Sequence, residues 1–161
     1  MTIDYLKNIT NICPMNRALL GLDVGKKTIG LALADPTHSL ATPLLTIKRT
    51  KFTKDMIALT DIAKEYEVGG YIIGLPVNMD GSEGRRAQSI KDFASEMERF
   101  IGNDPWIAFW DERLSTVSAD NIVDKMVEKR KTKIKAKSSG LIDKLAAQTI
   151  LQGALDYIRN A

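Results

Sequence analysis

Three acidic residues that lie far apart in the sequence stand where a carboxylate could do chemistry. Asp23 falls near the end of an apolar run, 19–24, and Glu112 directly follows a second apolar run, 106–110. Asp143 occupies the first turn of the helix that the sequence predicts at the end of the chain. A buried carboxylate is unfavourable unless it is paired, hydrogen-bonded or bound to a metal ion, so the position of Asp23 requires an explanation.

We expect the three carboxylates to meet at one edge of a sheet. Ligands in α/β proteins collect at the carboxyl ends of parallel strands, which is where Glu112 is predicted to lie. Asp143 shares a helix face with the apolar Ala147 and Ile150, so its side chain is expected to face the sheet. Converging carboxylates repel each other, and a hard dication such as Mg²⁺ or Mn²⁺ relieves that repulsion. Two such ions can support phosphodiester hydrolysis without a histidine or a thiol.

Each acid also has an interpretation without catalysis. Asp23 could accept hydrogen bonds from the backbone of the turn that follows it. Glu112 could be an exposed acid at a strand end that pairs with Arg113 or a lysine. Asp143 could satisfy the N-terminus of its helix. The residue types alone do not decide between these interpretations and a catalytic site.

The stretch 19–33 contains two apolar runs that flank a short turn, which predicts a β-hairpin. A P-loop is excluded because Leu20 stands where its first glycine should be, and Lys26 is followed by Lys27 rather than by Ser or Thr. An acid on a first strand followed by a hairpin resembles the opening motif of the RNase H-like superfamily and of its actin-like and sugar-kinase relatives. An actin-like ATPase normally needs two such domains, and this chain has room for one.

Hydrophobic periodicity predicts a mixed α/β domain with helices on both faces of its sheet. The predicted strands cover 18–24, 28–34, 41–47, 71–75 and 106–110, and the predicted helices cover 53–67, 85–101, 116–129 and 140–159. Gly69 and Gly70 are expected to end the first of these helices. We expect the five strands to lie in the order 3-2-1-4-5, with Asp23 on the central strand. Residues 1–17 are predicted to be an N-terminal extension, and 18–161 one domain.

The composition fits a globular protein with 44% hydrophobic and 27% charged residues and a net charge of +3. The charge permits a polyanionic partner without requiring one. No membrane-spanning segment or signal peptide is apparent, and the single cysteine, Cys13, is consistent with a reducing cytoplasm. The single histidine, His38, lies in a turn-like stretch and is expected to be solvated rather than catalytic.

Four motifs, taken together, resemble the YqgF family of bacterial proteins with an RNase H-like fold. They are Gly-Leu-Asp-Val-Gly at 21–25, Gly-Leu-Pro-Val-Asn-Met-Asp-Gly-Ser at 74–82, Asp-Glu-Arg-Leu-Ser-Thr at 111–116 and Ile-Asp-Lys-Leu-Ala-Ala at 142–147. The resemblance covers about 18–159. Members of the family are described as Holliday-junction resolvases and as pre-16S ribosomal RNA nucleases.

The resemblance implies that Asp23, Glu112 and Asp143 are the acidic catalytic and metal-binding positions, with Mg²⁺ or Mn²⁺ as cofactor. Asp80 and Asp111 are weaker candidates, since turn and capping roles are commoner for such residues. We expect seven further residues to contact nucleic acid: Lys26, Asn78, Arg85, Arg86, Lys131, Lys133 and Lys135. The last three belong to a basic run, 125–137, that could equally be a solvated loop.

These observations favour a metal-dependent endonuclease that matures the 5′ end of pre-16S ribosomal RNA in the cytoplasm, as a monomer or weak homodimer. The preference for RNA comes from the resemblance alone. The alternatives are a Holliday-junction resolvase and a catalytically silent module that binds nucleic acid. A resolvase would be expected to dimerise, so that two sites cut paired strands.

Overall fold

The computed structural model describes residues 2–114 and 138–161. The described chain contains six strands, of which the second to the fourth follow one another without a helix between them. The strands are β1 (Ile3–Tyr5), β2 (Ala18–Val24), β3 (Thr28–Ala34), β4 (Ala41–Lys48), β5 (Val68–Leu75) and β6 (Trp106–Asp111). The helices are α1 (Leu6–Ile9), α2 (Phe52–Glu65), α3 (Arg85–Ile101) and α4 (Ser138–Arg159), and short 3₁₀ turns cover Thr10–Ile12 and Glu112–Leu114. The helix predicted at 116–129 lies outside the described residues.

The six strands form one mixed sheet in the order β1-β6-β5-β2-β3-β4. β2, β3 and β4 pair antiparallel, whereas β5 pairs parallel with both β2 and β6. The five predicted strands therefore lie in the expected order, with Asp23 on the interior strand β2. This confirms the predicted α/β class and its central topology.

The sixth strand, β1, corrects the predicted strand count of five. It pairs parallel with β6 at the edge of the sheet, from Ile3 opposite Ile107 to Tyr5 opposite Phe109. The indole nitrogen of Trp106 donates a hydrogen bond to the carbonyl oxygen of Ile9, at 3.1 Å. A strand of three residues is too short to show an alternating pattern, so periodicity cannot reveal it. The segment before β2 is thus partly built into the sheet.

The sheet is covered by helices on both faces, because successive side chains of a strand point to opposite sides. α2 and α3 pack on one face, where their apolar stripes join buried side chains of β2, β3, β5 and β6. α4 packs on the other face and contributes a buried stripe of Ala147, Ile150, Leu151, Ala154 and Leu155. Leu19 of β2 belongs to the α4 side and Leu20 to the α2 side, so Asp23 faces α4.

The connection between α2 and β5 differs from the prediction. α2 ends at Glu65, and Glu67 turns the chain with a φ of 52°. Gly69 and Gly70, which the sequence predicts at the end of the helix, instead lie inside β5. A Cβ atom on Gly70 would lie 2.7 Å from the Trp106 ring, so the glycine serves close packing rather than helix termination. Among the described residues, no helix is long and apolar enough to cross a membrane.

Candidate functional site

The candidate site lies at the edge of the sheet where the parallel strands β2, β5 and β6 end. Asp23 is the second-last residue of β2, and Glu112 follows β6 directly. Asp143 approaches from α4, on the face towards which Asp23 projects. The hydroxyl of Thr28, the first residue of β3, donates a hydrogen bond to the carboxylate oxygen Oδ2 of Asp143. The structure therefore places the three acids that the sequence singles out at the same edge of the sheet.

Asp23 interacts electrostatically with both of the other acids. The pKa of Asp23 is raised to about 6, first because burial penalises the charged carboxylate and second because the negative charge of Asp143 acts on it. The pKa of Glu112 is raised to about 7, again mainly by burial and then by the charge of Asp23. Each raised pKa means that the folded protein holds a carboxylate in surroundings that disfavour its charge. Such clusters are typical of functional sites.

Arg86 supplies a positive charge at this cluster. Its guanidinium donates a hydrogen bond to the carbonyl oxygen of Val24, the residue after Asp23. The Arg86 charge lowers the pKa of both Asp23 and Glu112 and so opposes their mutual repulsion. The sequence predicts that Arg86 contacts nucleic acid, and the structure places it beside the carboxylates.

A glycine makes room for Glu112. A Cβ atom on Gly74 of β5 would lie 2.9 Å from the Oε1 atom of Glu112 and 2.4 Å from Cδ1 of Ile150. Any side chain there would force Glu112 or α4 to move, since Cβ contacts below 3.0 Å are essentially never observed in proteins. The Gly74–Leu75 step of the second motif therefore serves the packing of Glu112 against α4.

The oxygen donors fit a hard divalent cation, although they do not form a ready-made cage. Within residues 2–114 and 138–161, no three His, Cys, Asp or Glu side chains are grouped closely enough to hold an ion together. Asp23 instead has two separate partners, Asp143 and Glu112. Carboxylate oxygens are what Mg²⁺ and Mn²⁺ prefer, and a cation would relieve the repulsion that raises both pKa values.

A concave surface of about 610 Å³ shares Arg86 with the carboxylate site, and we call it the basic pocket. It is lined by Lys26, Arg49, Thr50, Arg85, Arg86 and Ser89. Three of the predicted nucleic-acid contacts, Lys26, Arg85 and Arg86, therefore share one surface. Sequence reasoning missed Arg49, which follows the end of β4 and whose guanidinium lies over the ring of Phe93 on α3.

The side chains of the 76–84 loop form hydrogen bonds within the loop and do not line the basic pocket. Asn78, a predicted contact, is exposed, and its side-chain amide donates to the Ser82 hydroxyl at 3.0 Å. Asp80 accepts hydrogen bonds from the backbone and the hydroxyl of Ser82, at 2.9 and 2.6 Å. Asp80 therefore has the turn role that the sequence favours.

Asp111, the other weaker candidate for a catalytic acid, also has a partner within the structure. It pairs with Arg113 at 2.7 Å, and Arg113 in turn donates to the carbonyl oxygens of Asn78 and Met79. The hydrogen bonds from Arg113 lower the pKa of Asp111. Arg113 thus engages Asp111 rather than Glu112, and it ties the end of β6 to the 76–84 loop.

His38 and the lysines of the basic run remain to be compared with the prediction. His38 is buried rather than solvated: its side chain is 4% exposed, and its Nε2 lies 2.7 Å from the carbonyl oxygen of Arg17. The turn at His38 folds inwards with a φ of 56°, so the residue has a structural role. Lys131, Lys133 and Lys135, with the rest of the basic run, lie outside the described residues.

The comparison with protein families matches residues 17–157 to the model described as RuvX, Holliday junction resolvase. Curated relatives cover nearly the whole chain. A Roseobacter denitrificans protein named "Putative pre-16S rRNA nuclease" is 48% identical over 158 residues, which is 98% of this chain and 91% of that protein. A protein of the same name from Phenylobacterium zucineum is 45% identical and covers 99% of both chains.

Solved structures share the fold at low sequence identity. The T. thermophilus RuvC in complex with a Holliday junction substrate superposes with a TM-score of 0.58 at 12% identity, covering 89% of this chain and 96% of that one. The yeast mitochondrial Holliday junction resolvase Ydc2 has a TM-score of 0.51, also at 12% identity, and the match covers 96% of this chain and 84% of Ydc2. These neighbours confirm the RNase H-like architecture. With a family match over residues 17–157 and relatives above 40% identity, the chain belongs to the YqgF family, also described as RuvX.

Proposed function

We propose that this protein is a divalent-metal-dependent endonuclease that matures the 5′ end of pre-16S ribosomal RNA. The observation that carries the proposal is that Asp23 interacts with both Glu112 and Asp143, which come from distant parts of the sequence, and that Arg86 links these acids to a pocket lined by four basic side chains. Carboxylates that attract cations and basic groups that attract phosphates are the two parts that a phosphodiester hydrolase needs. The names of the curated relatives support the same activity.

In this proposal the three acids are the catalytic residues, and they supply the oxygen ligands. Bound divalent ions would activate the attacking water and stabilise the leaving oxygen. Asp23 is the acid shared between the other two, because its charge acts on Glu112 and the charge of Asp143 acts on it. Thr28 engages one of the two oxygens of Asp143 and so orients that carboxylate. Arg86 places a positive charge beside both Asp23 and Glu112, where a phosphate would enter.

The preference for RNA over a four-way junction comes from the relatives' names and from the expected association state. A carboxylate and metal site recognises the phosphodiester rather than the base, so the surrounding surface must select the substrate. We expect recognition of a folded RNA end by shape and backbone. We propose a monomer or weak homodimer, whereas symmetric junction cleavage calls for two coupled sites. The single cysteine, Cys13, is buried and free, which fits action in a reducing cytoplasm.

The test is a cleavage assay on two substrates at matched salt. One is a pre-16S RNA fragment with its folded 5′ extension, and the other is a symmetric four-way DNA junction. We expect the wild type to cut the RNA with Mg²⁺ or Mn²⁺ and not in EDTA. Asp23→Asn should bind the RNA without cutting it, which excludes a contaminating nuclease. A mass measurement in solution reports the association state.

A stable dimer that makes paired nicks across the junction and leaves the RNA intact would reverse the choice of substrate. The family description, Holliday junction resolvase, is the reason for including this arm. Binding of both nucleic acids without cleavage under any metal condition would instead favour a catalytically silent module.

A further inference from the structure

The basic pocket contains two arginines that the fold holds in place. Arg49 donates from Nη1 to the carbonyl oxygen of Gly25 at 2.6 Å, and its guanidinium lies 5.3 Å from the centre of the Phe93 ring. Arg86 donates to the neighbouring carbonyl, that of Val24. A guanidinium has five N–H donors, so one hydrogen bond to the backbone leaves others for a ligand. Because both side chains are anchored, binding a ligand costs less side-chain entropy than it would for free surface arginines.

As far as the described residues show, the lining of the pocket itself carries only positive charge. Among the described residues that line it, four are basic and none is acidic. No carboxylate in residues 2–114 and 138–161 forms an ion pair with Lys26, Arg49, Arg85 or Arg86. A surface with this charge favours a compact anion that can accept several hydrogen bonds.

Ser89 adds a neutral hydroxyl donor to the lining, whereas the hydroxyl of Thr50 already donates to Asp55. The hydroxyls of Thr50 and Ser89 stand among the basic groups. Asp55, whose side chain is 4% exposed, accepts hydrogen bonds from the backbone and the hydroxyl of Thr50 at 3.1 and 3.2 Å and fixes this rim. α3 begins at the pocket, and its N-cap, Gly84, provides no side chain to bond the first backbone N–H groups. The arrangement suits the tetrahedral oxygens of a phosphate group.

The basic pocket and the site of the acids have one residue in common. Arg86 belongs to both places, since it lines the pocket and its charge acts on Asp23 and Glu112. The carboxylates repel a phosphate in the absence of metal, whereas the basic pocket attracts one. A strand that lay across both places would put different phosphates on the basic pocket and on the carboxylates. The pocket is thus suited to hold a phosphate next to the one that reacts.

We propose that the basic pocket binds a backbone phosphate of the strand being cut, close to the scissile phosphate, and that this interaction sets the position of the cut. The inference rests on the proposed nuclease function. In it, Arg49 and Arg85 determine which phosphodiester bond lies at the acids and take no part in the hydrolysis itself. Arg49 is the residue that the sequence does not suggest.

The first experiment measures binding without cleavage. A labelled RNA hairpin with a single-stranded 5′ extension is titrated in EDTA against protein carrying Asp23→Asn, over a range of salt concentrations. Adding Arg85→Ala or Arg49→Met should weaken binding severalfold. The slope of log affinity against log salt should flatten by roughly 0.7–0.9 for each phosphate that the variant no longer neutralises. Arg99→Met is the matched control, because Arg99 is exposed and pairs with Glu96 far along α3.

Arg85→Ala keeps the test valid if Arg49→Met reduces stability. Arg85 is exposed, so its removal should not disturb the fold, and a melting curve verifies this. Arg49→Lys retains the charge but not the two-pronged donor geometry, and it should restore the salt slope only in part. Equal slopes for the parent, Arg85→Ala and Arg99→Met would overturn the proposal.

The second experiment locates the phosphate. In wild-type protein with Mg²⁺, replacing one linkage at a time by a neutral methylphosphonate should reveal a position near the cut where cleavage falls several-fold. That penalty should disappear in Arg49→Met and Arg85→Ala, whose cuts should also spread over adjacent positions. A penalty that is unchanged in both variants would overturn the proposal.

A third arm separates a backbone phosphate from a free nucleotide. Labelled ATP is titrated under the binding conditions, and we expect weak binding that inorganic phosphate displaces. Tight ATP binding that needs Arg49, with RNA binding unchanged in the variants, would overturn the proposal in favour of a nucleotide site. The binding arm uses no metal, so a failure of the nuclease proposal shows as absent cleavage with the salt-slope result intact.

Discussion

A side chain at Gly30 would have no room, because a Cβ atom there would lie 2.1 Å from the carbonyl oxygen of Asp143. Gly30 pairs with Asp23 across the β2–β3 hairpin, so it is the strand neighbour of the central acid on the same face of the sheet. The first turns of α4 therefore rest directly on β3 beside Asp23. Because Gly30 has no side chain, the backbone at Asp143 can come close to β3 beside Asp23.

Gly30→Ala should lower both stability and activity. The new methyl group meets backbone, which cannot rotate away, so we expect a loss of about 1–3 kcal/mol in the free energy of unfolding. Gly140→Ala is the matched control, since a Cβ atom there lies 3.8 Å from the nearest atom and alanine favours a helix. Chemical denaturation of both variants checks the prediction, and equal stability would contradict the close approach.

The raised pKa values predict how stability depends on pH. In the folded protein Asp23 and Glu112 have pKa values of about 6 and about 7, above their ordinary values of 3.8 and 4.5. The folded state therefore binds more protons than the unfolded state between roughly pH 4 and 7. The contribution of these two groups to stability is greatest at the acidic end of that window and is lost as the pH rises through it.

Asp23→Asn should make the metal-free protein more stable at about pH 8, by an amount on the order of 2 kcal/mol. The gain should shrink at about pH 5, where the wild-type carboxyl is already mostly protonated. Thermal melts of both proteins in EDTA at the two pH values measure this. Asp111, whose pKa is lowered by Arg113, loses its contribution only at more acidic pH and does not interfere. A variant that gains nothing at either pH would contradict the unfavourable electrostatics at Asp23.

The N-terminal segment should contribute to the stability of the domain. Leu6 is 2% exposed and packs in the cluster between the sheet and α4, together with Ile9 and Cys13. Leu6→Ala should reduce the free energy of unfolding by about 2–4 kcal/mol, because apolar burial is reduced and a cavity remains. Leu40→Ala, at a side chain that is 63% exposed, should change it by less than about 0.5 kcal/mol. Similar values for the two variants would mean that the segment is a detachable extension.

Much of the fold is predictable because its elements carry strong periodicity. β2, β3, α3 and α4 are marked by apolar patterns that local sequence determines. β1 is not predictable in this way, since its pairing with β6 depends on a partner about a hundred residues away and only three residues take part. The predicted end of α2 is wrong because a glycine pair usually ends a helix, whereas here it packs inside β5 against Trp106.

The candidate site is predictable in its acids and less so in their surroundings. Asp23, Glu112 and Asp143 are marked by their positions at the ends of elements, and the structure places them at one edge of the sheet. Their role in catalysis stays a prediction. Gly30 inside a strand pattern is a local signal of a close backbone approach. The contribution of Arg49 to the basic pocket, and the hydrogen bond from Thr28 to Asp143, depend on tertiary packing that no local pattern encodes.

Thr28 should act as a positioning residue for Asp143. Its hydroxyl is the group that holds one carboxylate oxygen, and Thr28→Val removes it with little change in shape. We expect cleavage at limiting Mg²⁺ to fall by about 10–100-fold, as is typical when a group that orients a ligand is removed. Cleavage should recover in part at higher Mg²⁺, because the acid itself remains. Thr28→Ser restores the hydroxyl and should return the metal requirement close to that of the wild type.

The control for this prediction is Thr42→Val. Thr42 also carries a strand hydroxyl, but it donates to the carbonyl oxygen of Leu33, at 3.2 Å, on the neighbouring strand. A purely structural role for Thr28 would lower the melting temperature and leave the Mg²⁺ dependence unchanged, as we expect for Thr42→Val. A shifted Mg²⁺ dependence in Thr28→Val alone, with its melting temperature preserved, would identify the hydroxyl as the group that orients Asp143 for the metal.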